Sequence, residues 1–245
     1  MPRANRCFLP NHIWHITHCC HKKDFLLKFV RDRKRWLYWL SEARRRFGLC
    51  VLDYTVTSNH IHLLVQDQGR GEIARSVQLV AGRTAQEYNQ RKNRKGAFWE
   101  DRYHATAVDK DEYLARCITY IDLNMVRAGA VSHPSAWPDS GYQEIQHPPK
   151  RYGIIDIPAL MAVLGVTHVS ELQGLHNDWV EAALKAESSI REPYWSTSLA
   201  VGKPDYVEGI KRQLGIGARY HQIHRNGKYV FLREFSRSYK AHFEP

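Results

Sequence analysis

The feature that most constrains the fold is the run Asn59-His60-Ile61-His62-Leu63-Leu64-Val65. Successive side chains of a β-strand point to opposite faces, so His60 and His62 share one face, about 6.5 Å apart along the backbone, while Ile61 points into a core. The preceding segment, residues 50–57, also alternates, and a tight turn separates the two. The sequence therefore predicts a β-hairpin that presents two histidines on one face.

The periodicity of the surrounding residues predicts further strands and helices. The predicted elements are a strand at 12–18, a helix at 29–47, strands at 50–57 and 60–66, a helix at 73–88, a strand at 103–108 and a helix at 109–129. The last helix is predicted to open with a capping box formed by Asp109 and Glu112. This order is the split βαβ plan, an α+β ferredoxin-like sheet with helices on one side. The other face is then free to present the histidines to the third helix.

Composition divides the chain into three parts. We expect a first domain at residues 1–131, a linker rich in Pro, His and Ser at 132–150, and a mainly helical C-terminal extension at 151–245. The extension is predicted to contain helices at 157–164, 169–186 and 204–214 and to end in a basic aromatic tail at 219–243. No uninterrupted apolar signal core or membrane-spanning stretch is found, and five cysteines without regular spacing suit a reducing compartment, so a cytoplasmic protein is expected.

The charge balance favours a polyanionic partner. The chain has 36 Lys and Arg against 25 Asp and Glu, a formal net charge of +11. Arginine-rich clusters fall at residues 31–35, 44–46 and 91–95, and guanidinium groups suit phosphate oxygens. Thirteen tyrosines and seven tryptophans supply faces on which unpaired bases can stack. Nucleic acid is therefore the expected partner, although a basic solvated surface would show the same balance.

A second cluster lies on the third predicted helix. Tyr120 and Asn124 are spaced i, i+4 and share a face, and Arg116 precedes Tyr120 by one turn. Two imidazoles can bind a divalent metal ion, an amide oxygen can complete its shell, and a phenol can act as a nucleophile. Each motif alone also fits a structural role: the two histidines as a pair whose hydrogen bonds are satisfied within the fold, and Tyr120 as a tyrosine of the core. Together they predict a metal-dependent phosphoryl-transfer site.

Three motifs, in this order and spacing, resemble the REP-associated tyrosine transposases of the HUH single-tyrosine superfamily. The match runs from about residue 12 to 131 and rests on residues 58–65, on Phe98-Trp99-Glu100-Asp101-Arg102-Tyr103 and on Tyr120-Ile121-Asp122-Leu123-Asn124-Met125-Val126-Arg127-Ala128-Gly129. The resemblance implies an HUH nuclease fold with an added catalytic helix. It implies that His60 and His62, with Asn124 as third ligand, bind Mg²⁺ or Mn²⁺. Tyr120 would then form a 5′-phosphotyrosyl bond with single-stranded DNA.

The resemblance also implies a biological role. The protein is expected to be a DNA endonuclease and strand transferase that acts on REP-type palindromic hairpins, as a monomer or homodimer at the bacterial nucleoid, without a membrane partner. Four residues of the matched region are expected DNA contacts, namely Arg83, Asn89, Arg102 and Arg116.

Two departures from the family pattern carry expectations of their own. Met125 stands where the family usually has proline, so the helix is expected to run straighter past the site. The first strand ends in His18-Cys19-Cys20-His21, where relatives usually carry an arginine-glycine type turn. With His12 and His15 this run offers zinc ligands, although adjacent cysteines lack the usual spacing.

Two other functions remain open from the sequence. His15-Ile16-Thr17 and His60-Ile61-His62-Leu63 loosely resemble the paired motifs of two-histidine phosphodiesterases acting on RNA, although those motifs should carry Ser or Thr where His62 stands. A domesticated, non-catalytic DNA-binding protein is the other alternative. The presence of a candidate nucleophile and candidate ligands disfavours it.

Overall fold

The structure, a computed structural model, describes residues 9–186, 192–227 and 229–234. The N-terminal start and the end of the expected tail, including Lys228, Arg237, Tyr239 and Phe243, lie outside them. The strands are β1 (Ile13–Cys19), β2 (Cys50–Val56), β3 (His60–Gln66), β4 (His104–Val108), β5 (Ala200–Gly202), β6 (His221–Asn226) and β7 (Tyr229–Glu234). The helices are α1 (Val30–Phe47), α2 (Glu72–Arg91), α3 (Glu112–Asp122), α4 (Asn124–Arg127), α5 (Gly141–Gln146), α6 (Ile157–Leu164), α7 (Val169–Lys185), α8 (Tyr194–Thr197) and α9 (Pro204–Leu214). None of these helices is long and apolar enough to cross a bilayer.

The predicted α+β fold class is confirmed. The strands form one sheet in the order β2-β3-β1-β4-β5-β7-β6. The first four are antiparallel neighbours in the ferredoxin-like order, and β2 and β3 form the predicted hairpin. Because β1 lies between β3 and β4, its side chains stand directly beside those of the histidine strand.

The described part of the C-terminal extension is mainly helical, as predicted, with helices α6 to α9, but it also contains three strands that were not predicted. Its strand β5 pairs in parallel with β4, and β7 and β6 extend the sheet further. The strand β5 is only three residues long, and β6 is mostly polar, so neither shows a clear hydrophobic alternation. The dipeptide Asn226-Gly227, where β6 ends, is the hairpin signal that the sequence carries for this pair.

The stretch 132–150 is folded, which corrects its assignment as a linker. It contains α5, and Asp139 within it is fully buried. The Nε atom of Arg33 in α1 donates to the Asp139 carboxylate over 2.5 Å. The indole of Trp137 donates to the carbonyl of Val56 at the end of β2. The Pro, His and Ser content therefore reflects turns that pack on the β2 edge of the sheet.

The two faces of the sheet differ in chemistry. On one face, Ile16, Ile61 and Leu63 border the same small cavity as Trp36 of α1 and Val77 of α2, so this face carries the apolar core. The other face was expected to be free to present the histidines to the third helix; α3 does pack there, but α8 of the C-terminal extension, which was not expected there, covers it too. Its histidine and threonine side chains are largely buried.

The helix that carries Tyr120 does not run straight past the site as expected. It is interrupted at Leu123, whose backbone angles (φ −77°, ψ 4°) leave the helical range, and it resumes as α4. Arg127 of α4 donates to the carbonyl of Tyr120, which a continuous helix would pair with the amide of Asn124. The start of α3 also differs from expectation, because Asp109 accepts from the backbone amides of Lys110 and Lys203 instead of closing a capping box.

Replacing Gly141 with alanine is expected to destabilise the fold by about 3 kcal/mol or more, as overpacking of a core does. An added Cβ would lie 2.2 Å from the carboxylate oxygen Oδ1 of Asp53 and 2.9 Å from Ile155 Cδ1. Gly174 of α7 has nothing within 4 Å of a built Cβ, so Gly174→Ala is the matched control and should stabilise by roughly 0.5–1 kcal/mol. Chemical denaturation of both variants measures the difference. Equal stabilities would contradict the packing of α5 against β2.

Candidate active site

The two histidines of β3 share a face as predicted. Their ring centroids are 5.0 Å apart and the rings are nearly perpendicular. His60 is half-buried, and His62 is only 3% exposed. The apolar neighbour Ile61 faces the core on the opposite side of the sheet. Strand alternation alone thus accounts for the pair.

The ring of His60 is oriented by residues of the β2–β3 turn. Its Nδ1 lies 2.7 Å from Asn59 Oδ1 and 3.0 Å from Thr57 Oγ1. An amide oxygen only accepts, so the proton of a neutral His60 lies on Nδ1 and the lone pair on Nε2. Asn59 of the motif therefore sets which nitrogen of His60 can act as a ligand.

The ring of His62 is oriented by a third histidine. His15 of β1 lies with its Nε2 atom 2.8 Å from His62 Nδ1, and its own Nδ1 lies 2.8 Å from the carbonyl of Trp195 in α8. His15 is fully buried. Burial lowers the pKa of His15 to about 3, against the opposing effect of the Trp195 carbonyl, so the ring is neutral at physiological pH.

Tyr120 and Asn124 reach the histidines from the helical layer. The centroid of the Tyr120 ring lies 5.7 Å from that of His62, and Asn124 Nδ2 lies 2.9 Å from His62 Nε2. The guanidinium of Arg127 stacks on the Tyr120 ring, with its Cζ atom 4.2 Å from the centroid. The tyrosine is 6% exposed, and its ring centroid lies 6.3 Å from that of Trp195. One small volume thus contains a phenol, a guanidinium, an amide and three imidazoles.

The cation beside Tyr120 is not the expected one. Arg116 was expected to share the face of Tyr120, but it pairs with Glu112 at 3.7 Å and donates to the hydroxyl of Tyr229 in β7. It anchors α3 to the C-terminal strands. Arg127 occupies the position beside the ring because the break at residue 123 turns α4 back towards the tyrosine.

The donor set fits a divalent metal ion. Hydrogen bonds to Nδ1 of His60 and His62 place the lone pair of each ring on Nε2, and the amide of Asn124 lies beside the second of these nitrogens. Two imidazole nitrogens with an amide oxygen suit a divalent ion such as Mn²⁺. Within the described residues, no three His, Cys, Asp or Glu side chains are grouped to hold a metal, so a three-ligand set at this site would have to include Asn124.

The run His18-Cys19-Cys20-His21 has structural partners in place of a zinc site. His18 donates through Nε2 to the carbonyl of Asp101 and stacks on Trp99, with ring centroids 4.1 Å apart. Cys20 is buried in the core, and burial raises the pKa of its thiol to about 12. Two of the four side chains in this run are thus engaged in structural contacts.

The four expected DNA contacts are not brought to one surface. Arg83 on α2 is exposed and stacks on Trp39, whereas α3, which carries Arg116, packs on the opposite side of the sheet. Asn89 bonds the carbonyl of Gly96, which stabilises the loop after α2. Arg102 is exposed in the loop before β4. Of the four, Arg83 and Arg102 remain available to a nucleic-acid backbone.

Part of the positive charge in α1 and α2 is balanced by carboxylates. Arg35 forms a two-pronged pair with Glu87, at 2.7 Å for each contact, and Arg91 pairs with Asp32. Arg45 and Arg46 both bond Glu42. The arginine clusters therefore contribute less free charge than the sequence suggests.

Sequence reasoning missed three residues of the site: His15, Asn59 and Arg127. The signal for His15 was present, because an antiparallel neighbour of β3 with the same alternation must present His15 on the histidine face. No comparable signal existed for Arg127, since its position depends on the helix break.

Two buried carboxylic acids, Asp53 and Asp122, lie behind the candidate site. Asp53 of β2 is fully buried, and burial raises its pKa well above the usual range, with further contributions from the nearby charges of Asp122 and Glu144. Its Oδ1 atom accepts from the amide of Tyr54. Asp122 of α3 bonds the buried His176 of α7 over 2.6 Å and so ties α3 to α7.

Replacing Asp53 with asparagine is expected to stabilise the protein at pH 7 by on the order of 1–3 kcal/mol. Near pH 3 the Asp53 carboxyl is protonated in both the folded and the unfolded protein. As the pH rises above the pKa of this carboxyl in the unfolded protein, near ~3.9, the unfolded protein loses the proton first. The free energy of unfolding therefore falls as the pH rises. The amide stays neutral, so the advantage of the variant should grow from pH 4 to pH 7. Denaturation curves across this range test it, with the exposed Asp178→Asn as control. Lower stability than wild type at pH 7 would contradict the assignment.

Comparison with known proteins shows which family the first half of the chain is similar to. Residues 9–124 match the family described as IS200-like transposases. This match and the fold confirm the resemblance that the motifs indicate. No curated protein matches the chain.

Two solved structures are similar to the chain. A REP-associated tyrosine transposase bound to a REP hairpin has a TM-score of 0.50 and 15% sequence identity, over 62% of this chain and 90% of that one. A putative transposase from Deinococcus radiodurans has a TM-score of 0.35 and 14% identity, over 46% of this chain and 90% of that one. The first of these shares the fold described above.

Proposed function

We propose that this protein is a metal-dependent single-stranded DNA endonuclease and strand transferase, a transposase that acts through a 5′-phosphotyrosine intermediate. The observation that carries the proposal is the placement of Tyr120. A tyrosine that lies about sixty residues after the histidine pair is brought within 5.7 Å of His62, measured between ring centroids, and beside a guanidinium. These are the parts that a covalent phosphoryl transfer needs.

The proposed step is a transesterification. The phenol oxygen of Tyr120 forms a bond to the scissile phosphorus and loses its proton, while the bond to the 3′ oxygen breaks and that oxygen leaves as a 3′-hydroxyl. The bond energy is conserved in the phosphotyrosine, so a second 3′-hydroxyl can reverse the reaction and join two strands. Arg127, stacked on the ring, places positive charge beside the group at which negative charge develops.

The residues His60, His62 and Asn124 would hold the metal ion. When bound, a divalent ion polarises the phosphate oxygens and offsets the charge of the transition state. The protein orients its ligands through hydrogen bonds at Nδ1 of each histidine. The amide of Asn124 would present its oxygen, not its nitrogen, towards the ion.

The substrate is proposed to be a palindromic hairpin of the REP type. The formal net charge of +11 favours a polyanion, and the similar transposase was solved with a REP hairpin. Exposed Arg83 and Arg102 are proposed to contact the DNA backbone. Because Tyr120 is 6% exposed and packs against Trp195, a scissile phosphate reaches it only when side chains around α8 shift.

The geometry disfavours a two-histidine phosphodiesterase. Such an enzyme places a phosphate between the two histidines, one acting as acid and the other as base. In the two motifs these histidines would be His15 and His60. His15 is fully buried and both of its ring nitrogens are hydrogen-bonded, Nδ1 to the carbonyl of Trp195 and Nε2 to His62 Nδ1, so it does not face a substrate phosphate.

Labelled DNA tests the proposed function. A REP-type hairpin with a single-stranded extension is labelled at one end or the other and incubated with protein and Mn²⁺. The label 3′ of the cleavage site should stay with the denatured protein, and the label 5′ of it should be released on a fragment with an extendable 3′-hydroxyl. Chelation with EDTA should abolish both. Release of both labels, or cleavage that resists EDTA, would contradict the proposal.

A further inference from the structure

A chain of hydrogen bonds joins the C-terminal extension to the histidine strand. The carbonyl of Trp195 in α8 contacts Nδ1 of His15, Nε2 of His15 contacts Nδ1 of His62, and Nε2 of His62 contacts the amide of Asn124. The three contacts measure 2.8, 2.8 and 2.9 Å. His15 is fully buried, and His62 nearly so.

In this series of hydrogen bonds, the donor and the acceptor of each bond follow from the first bond, which the Trp195 carbonyl accepts. A carbonyl oxygen only accepts, so the proton of neutral His15 lies on Nδ1 and its Nε2 must accept. His62 must then donate through Nδ1, which leaves the lone pair of its ring on Nε2. The amide of Asn124, placed with its nitrogen towards Nε2, agrees with this assignment.

We propose that His15 is a positioning residue that holds His62 in the tautomer with its proton on Nδ1, and that the Trp195 carbonyl sets this tautomer. The C-terminal extension, through Trp195, would thereby determine that Nε2 of His62 is the nitrogen available to a metal ion in the first domain. The tautomer assignment stands by itself, whereas its consequence for metal binding rests on the proposed function.

The Trp195 carbonyl, where this series of hydrogen bonds begins, has a second hydrogen-bond partner besides His15. The hydroxyl oxygen of Thr106 in β4 lies 3.1 Å from the carbonyl oxygen of Trp195 and 2.7 Å from that of Ser198, so its single proton can be accepted by either carbonyl. His104 Nε2 donates to the Ser198 carbonyl over 2.8 Å. These bonds satisfy the last carbonyls of α8, so a change at His15 leaves the Thr106 hydroxyl available to the Trp195 carbonyl.

Three variants separate the proposed role from simple packing. His15→Gln keeps a donor for Trp195 and an acceptor for His62, and should retain the tautomer. His15→Leu keeps the bulk but removes the acceptor, and should release His62 to a mixture of tautomers. His104→Leu removes another hydrogen bond to the same segment, the one to the Ser198 carbonyl, and is the matched control.

The first measurement is nitrogen-15 NMR of the histidine rings in the full chain without metal. Protonated and unprotonated imidazole nitrogens resonate far apart, so the spectrum identifies the tautomer of His62 directly. The wild-type protein should show Nδ1 protonated and a coupling across the hydrogen bond to His15 Nε2. A wild-type His62 with its proton on Nε2 would overturn the proposal, even if His15→Leu fails to fold.

The second measurement is Mn²⁺ affinity by calorimetry. Loss of a hydrogen bond that orients a metal-bound histidine typically costs ~10–100-fold in affinity, so His15→Leu should bind Mn²⁺ weaker by this factor, with His15→Gln and His104→Leu close to wild type. Affinity and tautomer both unchanged in His15→Leu would overturn the proposal. Absence of Mn²⁺ binding in every protein, with the predicted tautomer in wild type, would instead contradict the proposed metal site and support the role of His15.

Discussion

Replacing Tyr120 with phenylalanine is expected to remove DNA cleavage and covalent adduct formation, a loss on the order of 10⁴-fold or more, as when a catalytic nucleophile is deleted. The change removes one oxygen and leaves the ring, so the contacts of the ring with Arg127 and Trp195 remain. The melting temperature and hairpin affinity should therefore stay close to wild type. Denaturing gels with labelled DNA measure the adduct.

Tyr113 on the same helix is the control for this experiment. It is also buried but lies two turns before Tyr120, towards β7. Tyr113→Phe should form the adduct at the wild-type rate. An active Tyr120→Phe variant would remove the nucleophile assignment and make Tyr113 the next candidate.

The variants His60→Ala and His62→Ala are each expected to abolish metal-dependent cleavage. Each removes a proposed ligand, so Mn²⁺ affinity should fall by more than the ~10–100-fold that loss of an outer-sphere partner costs. Tyr120 stays intact in both. Calorimetry with Mn²⁺ and the labelled-DNA assay measure the two effects separately.

Ile61→Ala and His147→Ala are the controls for the histidine pair. Ile61 lies between the histidines but faces the core, so its truncation should cost ~2–5 kcal/mol of stability with little effect on Mn²⁺ affinity. His147 is an exposed histidine after α5, and its loss should change neither property. Normal cleavage and unchanged Mn²⁺ binding in both histidine variants would place the metal site elsewhere.

Local periodicity was sufficient to predict much of the fold. The strand β3 and the helices α6 and α9 have the predicted bounds, because alternation, Pro at a helix start and Gly after a helix end act within a few residues. The opposite positions of Ile61 and His62 follow from the same rule. In contrast, β5 is a strand only because β4 supplies a partner from ninety residues away, and a three-residue segment carries no such information.

The candidate site was likewise predictable from the sequence only in part. The grouping of His60, His62, Tyr120 and Asn124 was predicted from two motifs, and the structure brings these side chains together. Their surroundings were not predictable, because they depend on tertiary contacts. The extension covers the histidine face, and a helix break replaces Arg116 by Arg127 beside the tyrosine.

The most direct test of the central claim is to locate the covalent bond between protein and DNA. The adduct formed with Mn²⁺ and a REP-type hairpin is digested with nuclease and trypsin and analysed by mass spectrometry. Trypsin releases residues 117–127, and Tyr120 is the one tyrosine in this peptide. The proposed mechanism predicts a nucleotide attached through its 5′-phosphate to this residue. A nucleotide on any other residue, or DNA that is cleaved without an adduct, would contradict it.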